Sequence, residues 1–270
     1  MKQAQAVFDK LWSDYITQNP SAKQVYDLFI GSGEEVLNDH IAFRTFNDSR
    51  VNIDVMAQEF INAGYIYKGS YNFEEKKLNA RHYEHKEFRD APRVFISELR
   101  TEEFSPFLQE TVKNILNNIP AEHVGKGDLI FKGNLWGTPS YEVYNKLRDE
   151  SEYAAWVYVY GFRANHFTVS INGLKKLTEV EQVNRFVEEH GFRINDSGGR
   201  VKGTPQELLE QSSTMAGKLP VKFQEGIYEI PSCYYEFAKR YPDTDGNLYS
   251  GFIAKSADKI FESTNYYKGN

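Results

Sequence analysis

Two distant stretches of this chain are written to one plan. In Asn38–Phe46 (NDHIAFRTF) the residues alternate, with Ile41, Phe43 and Thr45 pointing one way and His40, Ala42 and Arg44 the other. In Ala164–Asn172 (ANHFTVSIN) His166, Thr168 and Ser170 share one face, and Phe167, Val169 and Ile171 the other. Each strand pattern is followed by a helical one, about Ile53–Ala63 and about Glu179–Glu189, and each helix stops at a glycine, Gly64 and Gly191. The histidine-to-glycine spacing is 24 residues in the first copy and 25 in the second, which is the mark of an internal duplication. Further strands are expected around Tyr65–Lys68, Arg81–His85 and Val94–Leu99, so each copy reads as strand, helix and several strands. The expected fold class is therefore α+β: two βαβββ-like modules forming a metal-centred cleft or half-barrel, with extra helices.

The remainder of the chain is organised around these copies as one catalytic domain over residues 1–270. Residues 1–37 form a helical N-terminal cap of two helices parted by Asn19-Pro20, 38–103 the first module, and 104–163 a helical connector with a break near Asp149. Residues 164–270 form the second module and C-terminal segment. With 40% hydrophobic and 26% charged residues the composition is that of an ordinary globular protein, long enough to bury a core without disulfides. Its single cysteine, Cys233, suits a reducing, cytoplasmic setting and reads as a packed thiol in a strand. A net charge of -6 argues against nucleic-acid binding. No apolar run approaches the roughly 18 residues of a membrane span, so no membrane partner is expected, and oligomeric state is left open.

The duplication concentrates chemistry. Equivalent first strands bring His40 and His166 toward one point, and equivalent last strands bring Glu98 (VFISELR) and Glu236 (YYEFAKR). Two imidazoles and one carboxylate on three strands make the facial ligand set of non-haem Fe(II), which also accepts zinc, nickel or manganese. A lone strand histidine is ordinarily a core or surface residue; two at matching repeat positions point to a metal. Spacing alone leaves Glu98 and Glu236 as rival third ligands. Arg44, two pleats along from His40, reads either as a clamp for a substrate carboxylate or as a surface salt bridge. In Arg81–His85 (RHYEH) His82 and Glu84 share a face and His85 turns away, so this is no helical zinc motif, and His82 reads as a candidate substrate contact. The segment 198–216 reads as a lid or pocket wall carrying Gln211, Ser212 and Ser213, or else as a surface loop followed by a short helix. Nucleophile-elbow, dinucleotide and phosphate-loop signatures are absent from the sequence.

The segments NDHIAFRTF, RHYEH, VFISELR, AAWVYVYGFRANHFTVSIN, LLEQSSTMA, YYEFAKRYP and SADKIFEST together resemble the 2-oxoadipate dioxygenase/decarboxylase family, similar in fold to the vicinal oxygen chelate superfamily. The resemblance runs over about residues 38–264. It implies Fe(II) held by His40, His166 and Glu236, with Arg44 on the substrate carboxylate, and so favours Glu236 over Glu98. The implied reaction takes a 2-oxo dicarboxylic acid, 2-oxoadipate, and dioxygen to 2-hydroxyglutarate and carbon dioxide in lysine breakdown. The alternatives are a metal-dependent isomerase, lyase or hydrolase on the same scaffold, and a non-enzymatic small-molecule binder.

Overall fold

The computed structural model describes residues 2–254 and 259. Of the segment SADKIFEST only Lys259 is among them, so that motif lies outside the described residues. The chain groups into two compact units. The first takes the residues up to Tyr15, Ala42–Asn165 and Lys218–Ile230; the second takes Ile16–Ile41, His166–Gly217 and the described residues from Pro231 onward.

Two helices open the chain, α1 (Lys2–Gln18) and α2 (Pro20–Gly31), and the break falls at Asn19-Pro20 because proline cannot donate to a continuing helix. Next come β1 (Asn38–Phe46), α3 (Ile53–Met56), α4 (Gln58–Asn62), β2 (Tyr65–Phe73), β3 (Leu78–His85) and β4 (Arg93–Leu99). This is the first βαβββ series. The expected helix over 53–63 is divided at Ala57, and Asn52 starts it by accepting the Val55 N–H at 3.1 Å. Gly64 ends it at φ +99°, where a Cβ would also meet the His85 ring at 2.9 Å. The connector is helical as expected: α5 (Pro106–Asn117), α6 (Tyr141–Glu150) and α7 (Glu152–Tyr160), with Ser105, Ser140 and Ser151 each capping an N-terminus.

The second series begins with β5 (Ala164–Ser170) and α8 (Val180–Glu189), then β6 (Lys202–Thr204) and β7 (Leu209–Ser213). A hairpin, β8 (Lys218–Phe223) and β9 (Gly226–Pro231), is inserted before β10 (Glu236–Arg240) and groups with the first unit. Removing it from the chain order leaves β5, α8, β6, β7 and β10, a second βαβββ. Eight strands follow the hydrogen-bonded order β2-β3-β4-β1-β5-β10-β7-β6, and β8 pairs with β9 separately. The fold is thus mixed α+β, with both copies of the repeat present.

Two details differ from expectation. Segment 198–216 holds more than a loop and a short helix: a single 3-10 turn, Pro205–Glu207, lies between β6 and β7, and β7 is largely buried in the sheet. Cys233 is buried but sits in the link between β9 and β10, not in a strand.

Each unit has its own aromatic core. In the first, Phe8 and Phe43 pack on Phe60 with ring centroids 6.1 and 5.5 Å away, and Tyr65 closes the group. In the second, Phe29 of α2 stacks on Phe186 of α8 at 5.5 Å and meets Phe237 of β10 edge-on at 5.9 Å. A fully buried ring of this kind contributes about 1.5–3 kcal/mol. The α8 helix thereby holds its unit's sheet against α2. The polar faces of β1 and β5 are buried as well as their apolar ones. Polar groups in such a place must find partners or a ligand.

Candidate metal centre

His40 is the third residue of β1, His166 the third of β5 and Glu236 the first of β10. The strands are neighbours in that order, and β10 runs parallel to β5 with Glu236 opposite Thr168. Alternation then sets His166, Thr168 and Glu236 on one face. All three candidate ligands belong to the second unit, because the opening residues of β1 group with it. Exposure is 2% for His40, 4% for His166 and 0% for Glu236, so no contact here is a surface accident.

One ligand atom from each of the three lies within 4.8 Å of the others, and among the described residues this is the group able to hold a metal ion. His40 Nε2 stands 3.5 Å from Glu236 Oε1, and His166 Nε2 stands 3.0 Å from Glu236 Oε2. Two donors at right angles on one ion, with bonds near 2.1 Å, are roughly 3 Å apart, which the His166 and Glu236 pair matches, while His40 faces the other carboxylate oxygen. Burial alone would raise the Glu236 carboxyl, but the imidazoles of His166 and His40 and a hydrogen bond from Gln211 Nε2 hold it below the usual carboxylate range.

His40 is oriented from behind. Its Nδ1 is 2.7 Å from Asp39 Oδ1, while its Nε2 faces the cluster and lies 3.1 Å from Thr168 Oγ1. Asp39 in turn accepts from Arg240, Nε to Oδ2 at 2.7 Å and Nη2 to Oδ1 at 2.9 Å. Burial would raise the Asp39 carboxyl, but the Arg240 guanidinium and the His40 ring override it and keep it well below the ordinary range. The His40 ring meets Phe252 edge-on at 4.8 Å, and His166 stacks on Tyr234 at 4.7 Å. These rings close the flanks of the cluster with apolar surface.

The remaining expected site residues divide. Gln211 bonds Glu236, and Ser213 is the register partner of Glu236 across β7 and β10, so both share its face. Ser212 does not: it pairs with Phe237, and alternation turns it to the opposite face, where it is fully buried. Arg44 is 2% exposed with its guanidinium over the rings of Tyr153 and Trp156, at 5.2 and 5.4 Å, which removes the surface salt-bridge reading. His82 is buried on β3, where Nδ1 lies 2.9 Å from Tyr71 Oη and Nε2 lies 3.1 Å from Glu84. Glu98 is outside the cluster and accepts the Ile53 N–H at 3.1 Å, at the start of α3. It falls near the end of β4, whereas Glu236 opens β10, so matching strands carry carboxylates at unmatched positions.

The sequence reading missed Asp39 and Arg240. Neighbours on a strand normally face opposite ways, so alternation gave no reason to join Asp39 to His40. The available signal was a pair of opposite charges beside two candidate ligands, in NDH and EFAKR.

Fold and site together define a mixed α+β protein with a buried cluster of two histidines and one glutamate that can bind a metal. The family model for 2-oxoadipate dioxygenase/decarboxylase matches residues 7–126 and 128–245, and the chain belongs to that family. A rice relative, the 2-oxoadipate dioxygenase/decarboxylase of Oryza sativa subsp. japonica, is 36% identical over 93% of this chain and 75% of its own length. The structure of Oryza sativa hydroxyglutarate synthase in complex with 2-oxoadipate is 33% identical with a TM-score of 0.89, covering 97% of this chain and 91% of that one. A protein of Shewanella frigidimarina NCIMB 400 that carries a provisional hydrolase name is 49% identical with a TM-score of 0.87, covering 93% and 98% of the two chains. In fold alone the chain is also similar to a Ralstonia eutropha JMP134 protein provisionally placed in the glyoxalase superfamily, at 21% identity, TM-score 0.75 and coverage of 93% and 85%.

Proposed function

We propose that this chain is a non-haem Fe(II) oxidoreductase that converts 2-oxoadipate and dioxygen to 2-hydroxyglutarate and carbon dioxide, a step of lysine catabolism. The buried His40, His166 and Glu236 cluster carries the reading. Two neutral imidazoles and one carboxylate suit Fe(II), and a facial set of three leaves open positions for ligands. When bound, the metal supplies a Lewis-acidic, redox-active centre at which a 2-oxo acid and dioxygen meet.

The chain's own residues do the rest. Glu236 brings one negative charge, which Gln211 orients by donating to Oε1. Asp39 holds His40 by Nδ1, leaving the Nε2 lone pair toward the cluster. Phe252 and Tyr234 exclude water from the flanks, which strengthens the electrostatics within. Arg44 supplies the guanidinium for the distal carboxylate of the substrate, and Ser213 and His82 add polar contacts. Ser212 has no part in this reading. A reducing cytoplasm suits a chain with one cysteine; the rice relative is named as chloroplastic/amyloplastic.

A second reading, metal-dependent hydrolysis, is favoured by the name of the Shewanella relative. One experiment separates the two. Metal-stripped protein is reconstituted anaerobically with Fe(II) or with zinc, then given 2-oxoadipate while oxygen uptake and 2-hydroxyglutarate are followed. The Fe(II) protein should consume oxygen and form the product, and the zinc protein should do neither. Equal consumption of 2-oxoadipate by the zinc and Fe(II) proteins, with no oxygen uptake and no 2-hydroxyglutarate, would remove the oxygenase and favour redox-neutral chemistry on the same scaffold.

A further inference from the structure

We infer that Asp39 and Arg240 are positioning residues of the metal centre: as a buried pair they lock the His40 ring so that Nε2, and not Nδ1, is presented beside Glu236. The inference rests on the metal reading above and adds to it the parts that fix one ligand.

A strand histidine can turn its ring over, which swaps each nitrogen with a ring carbon, and can ligate through either nitrogen, so a ligand histidine needs something to fix its orientation. Here the choice is made at Nδ1, which lies 2.7 Å from Asp39 Oδ1. An ionised carboxylate only accepts, so Nδ1 carries the proton and Nε2 keeps its lone pair. A flipped ring would set a C–H against Asp39 inside a site where His40 is 2% exposed and water cannot make good the loss.

Asp39 orients the ring only if it is itself held. Both of its oxygens are taken by the fork of Arg240, Nε at 2.7 Å and Nη2 at 2.9 Å. Arg240 is anchored on three sides. Its Nη1 donates to the carbonyls of Tyr249 at 2.9 Å and Gly251 at 2.8 Å. Its backbone N–H and C=O are both bonded by the Asn172 side chain at 2.9 Å. Its guanidinium also lies 5.2 Å from the centre of the Phe252 ring, whose edge contact with His40 limits the ring on another side. The same guanidinium thus ties the turn after β10 to the carboxylate that aims His40. A second carboxylate placed only for stability would need neither the fork nor the contact to a ligand's far nitrogen.

The test is the affinity of the full chain for Fe(II), measured anaerobically against a chromogenic chelator, with the visible spectrum of the Co(II) protein as a report on ligand geometry. Wild type, Asp39→Asn, Arg240→Gln, the double variant and His166→Ala are compared. His166→Ala should abolish binding. Asp39→Asn and Arg240→Gln should each weaken it by roughly 10- to 100-fold and alter the Co(II) spectrum, as for other groups that orient a ligand. Because both act through one ring, the double variant should bind about as weakly as the weaker single one. It also leaves no stranded charge, so it serves as the deciding variant should Arg240→Gln fail to fold. Binding by the folded double variant within about twofold of wild type, with an unchanged Co(II) spectrum, overturns the inference while His166→Ala still upholds the site. A wild-type protein that takes up no Fe(II) or Co(II) overturns the metal reading and this inference with it.

Discussion

Tyr153 offers a clean test of how the polar interior of the first unit is held. Its hydroxyl accepts the Thr45 N–H at 2.9 Å, donates to the Ser97 carbonyl at 2.7 Å and lies 3.0 Å from Ser97 Oγ. One oxygen on α7 therefore ties β1 to β4, and its ring forms one side of the Arg44 berth. Burial pushes the phenol above its ordinary value, so it remains a donor over the working range of pH. Tyr153→Phe keeps the ring and removes only this oxygen. Ser97 Oγ keeps a partner in the Phe43 carbonyl at 3.1 Å, so the groups stranded are the Thr45 N–H and one lone pair of the Ser97 carbonyl. Leaving a buried group unpaired costs on the order of 1–3 kcal/mol, and the carbonyl less than the N–H, which gives about 2–4 kcal/mol in all. Urea unfolding followed by far-UV circular dichroism measures the loss. Tyr67→Phe, at a ring 55% exposed, is the control and should change stability by less than about 0.5 kcal/mol. Fe(II) affinity should be unchanged, because Tyr153 bonds none of the three ligands. A loss below about 0.5 kcal/mol for Tyr153→Phe would show that the hydroxyl is not holding these strands.

Two further outcomes are expected. Arg44→Met, which removes the charge and keeps much of the stem, should lower kcat/KM for 2-oxoadipate by about 2 kcal/mol, roughly 30-fold, and much less for a 2-oxo acid without a distal carboxylate; equal losses on both would remove Arg44 as the clamp. Glu34 accepts the N–H groups of Lys175, Lys176 and Leu177 at 2.6, 2.9 and 3.0 Å, and these bonds, against the opposing pull of desolvation, hold its carboxyl below its ordinary 4.5. A group depressed on folding stabilises above its unfolded value and loses that contribution as pH falls, so wild type should exceed Glu34→Gln in stability at neutral pH and the gap should close on acidification; a gap that widens below pH 4 would refute this, and urea midpoints across pH decide it.

Much of this architecture was legible because the chain repeats itself. One strand histidine says little, but His40 and His166 at matching positions before matching helices located both β1 and β5 and the pair of imidazoles. Elements set by contacts remote in sequence were harder to read. The expected strand at Tyr65–Lys68 continues to Phe73, because Gly69 does not end β2 but sits at its irregular register, where a Cβ would lie 3.1 Å from the His82 ring. The β8 and β9 hairpin was not foreseen: Pro220 weakens the strand pattern of KLPVKF, and only pairing with β9 makes it a strand. Ser212 was grouped with its neighbours because composition does not tell which side of a strand faces a ligand. The register of β7 on β10 does.

Two of the buried carboxylates of the second unit, Asp39 and Glu236, show why a cation belongs at one of them. Taking an ion out of water costs several kcal/mol unless its charge is matched. Asp39 is matched: the fork of Arg240 neutralises it through both oxygens, and Oδ1 also meets His40 Nδ1. Glu236 is as deeply buried, yet its polar neighbours are a neutral amide, Gln211, and two imidazoles, with no lysine or arginine in its ion pairs among the described residues. Imidazoles can balance that charge only by taking up protons, which would cost them the lone pairs that face it. A divalent ion resolves the conflict, because it supplies the positive charge while the rings stay neutral and both lone pairs are used. The difference between a carboxylate given an arginine and one left to two histidines therefore separates the part of the network that aims from the part that binds. It also explains why the arginine stops one residue short of the cluster, at Asp39: a guanidinium against Glu236 would satisfy the site and leave nothing for a metal to do.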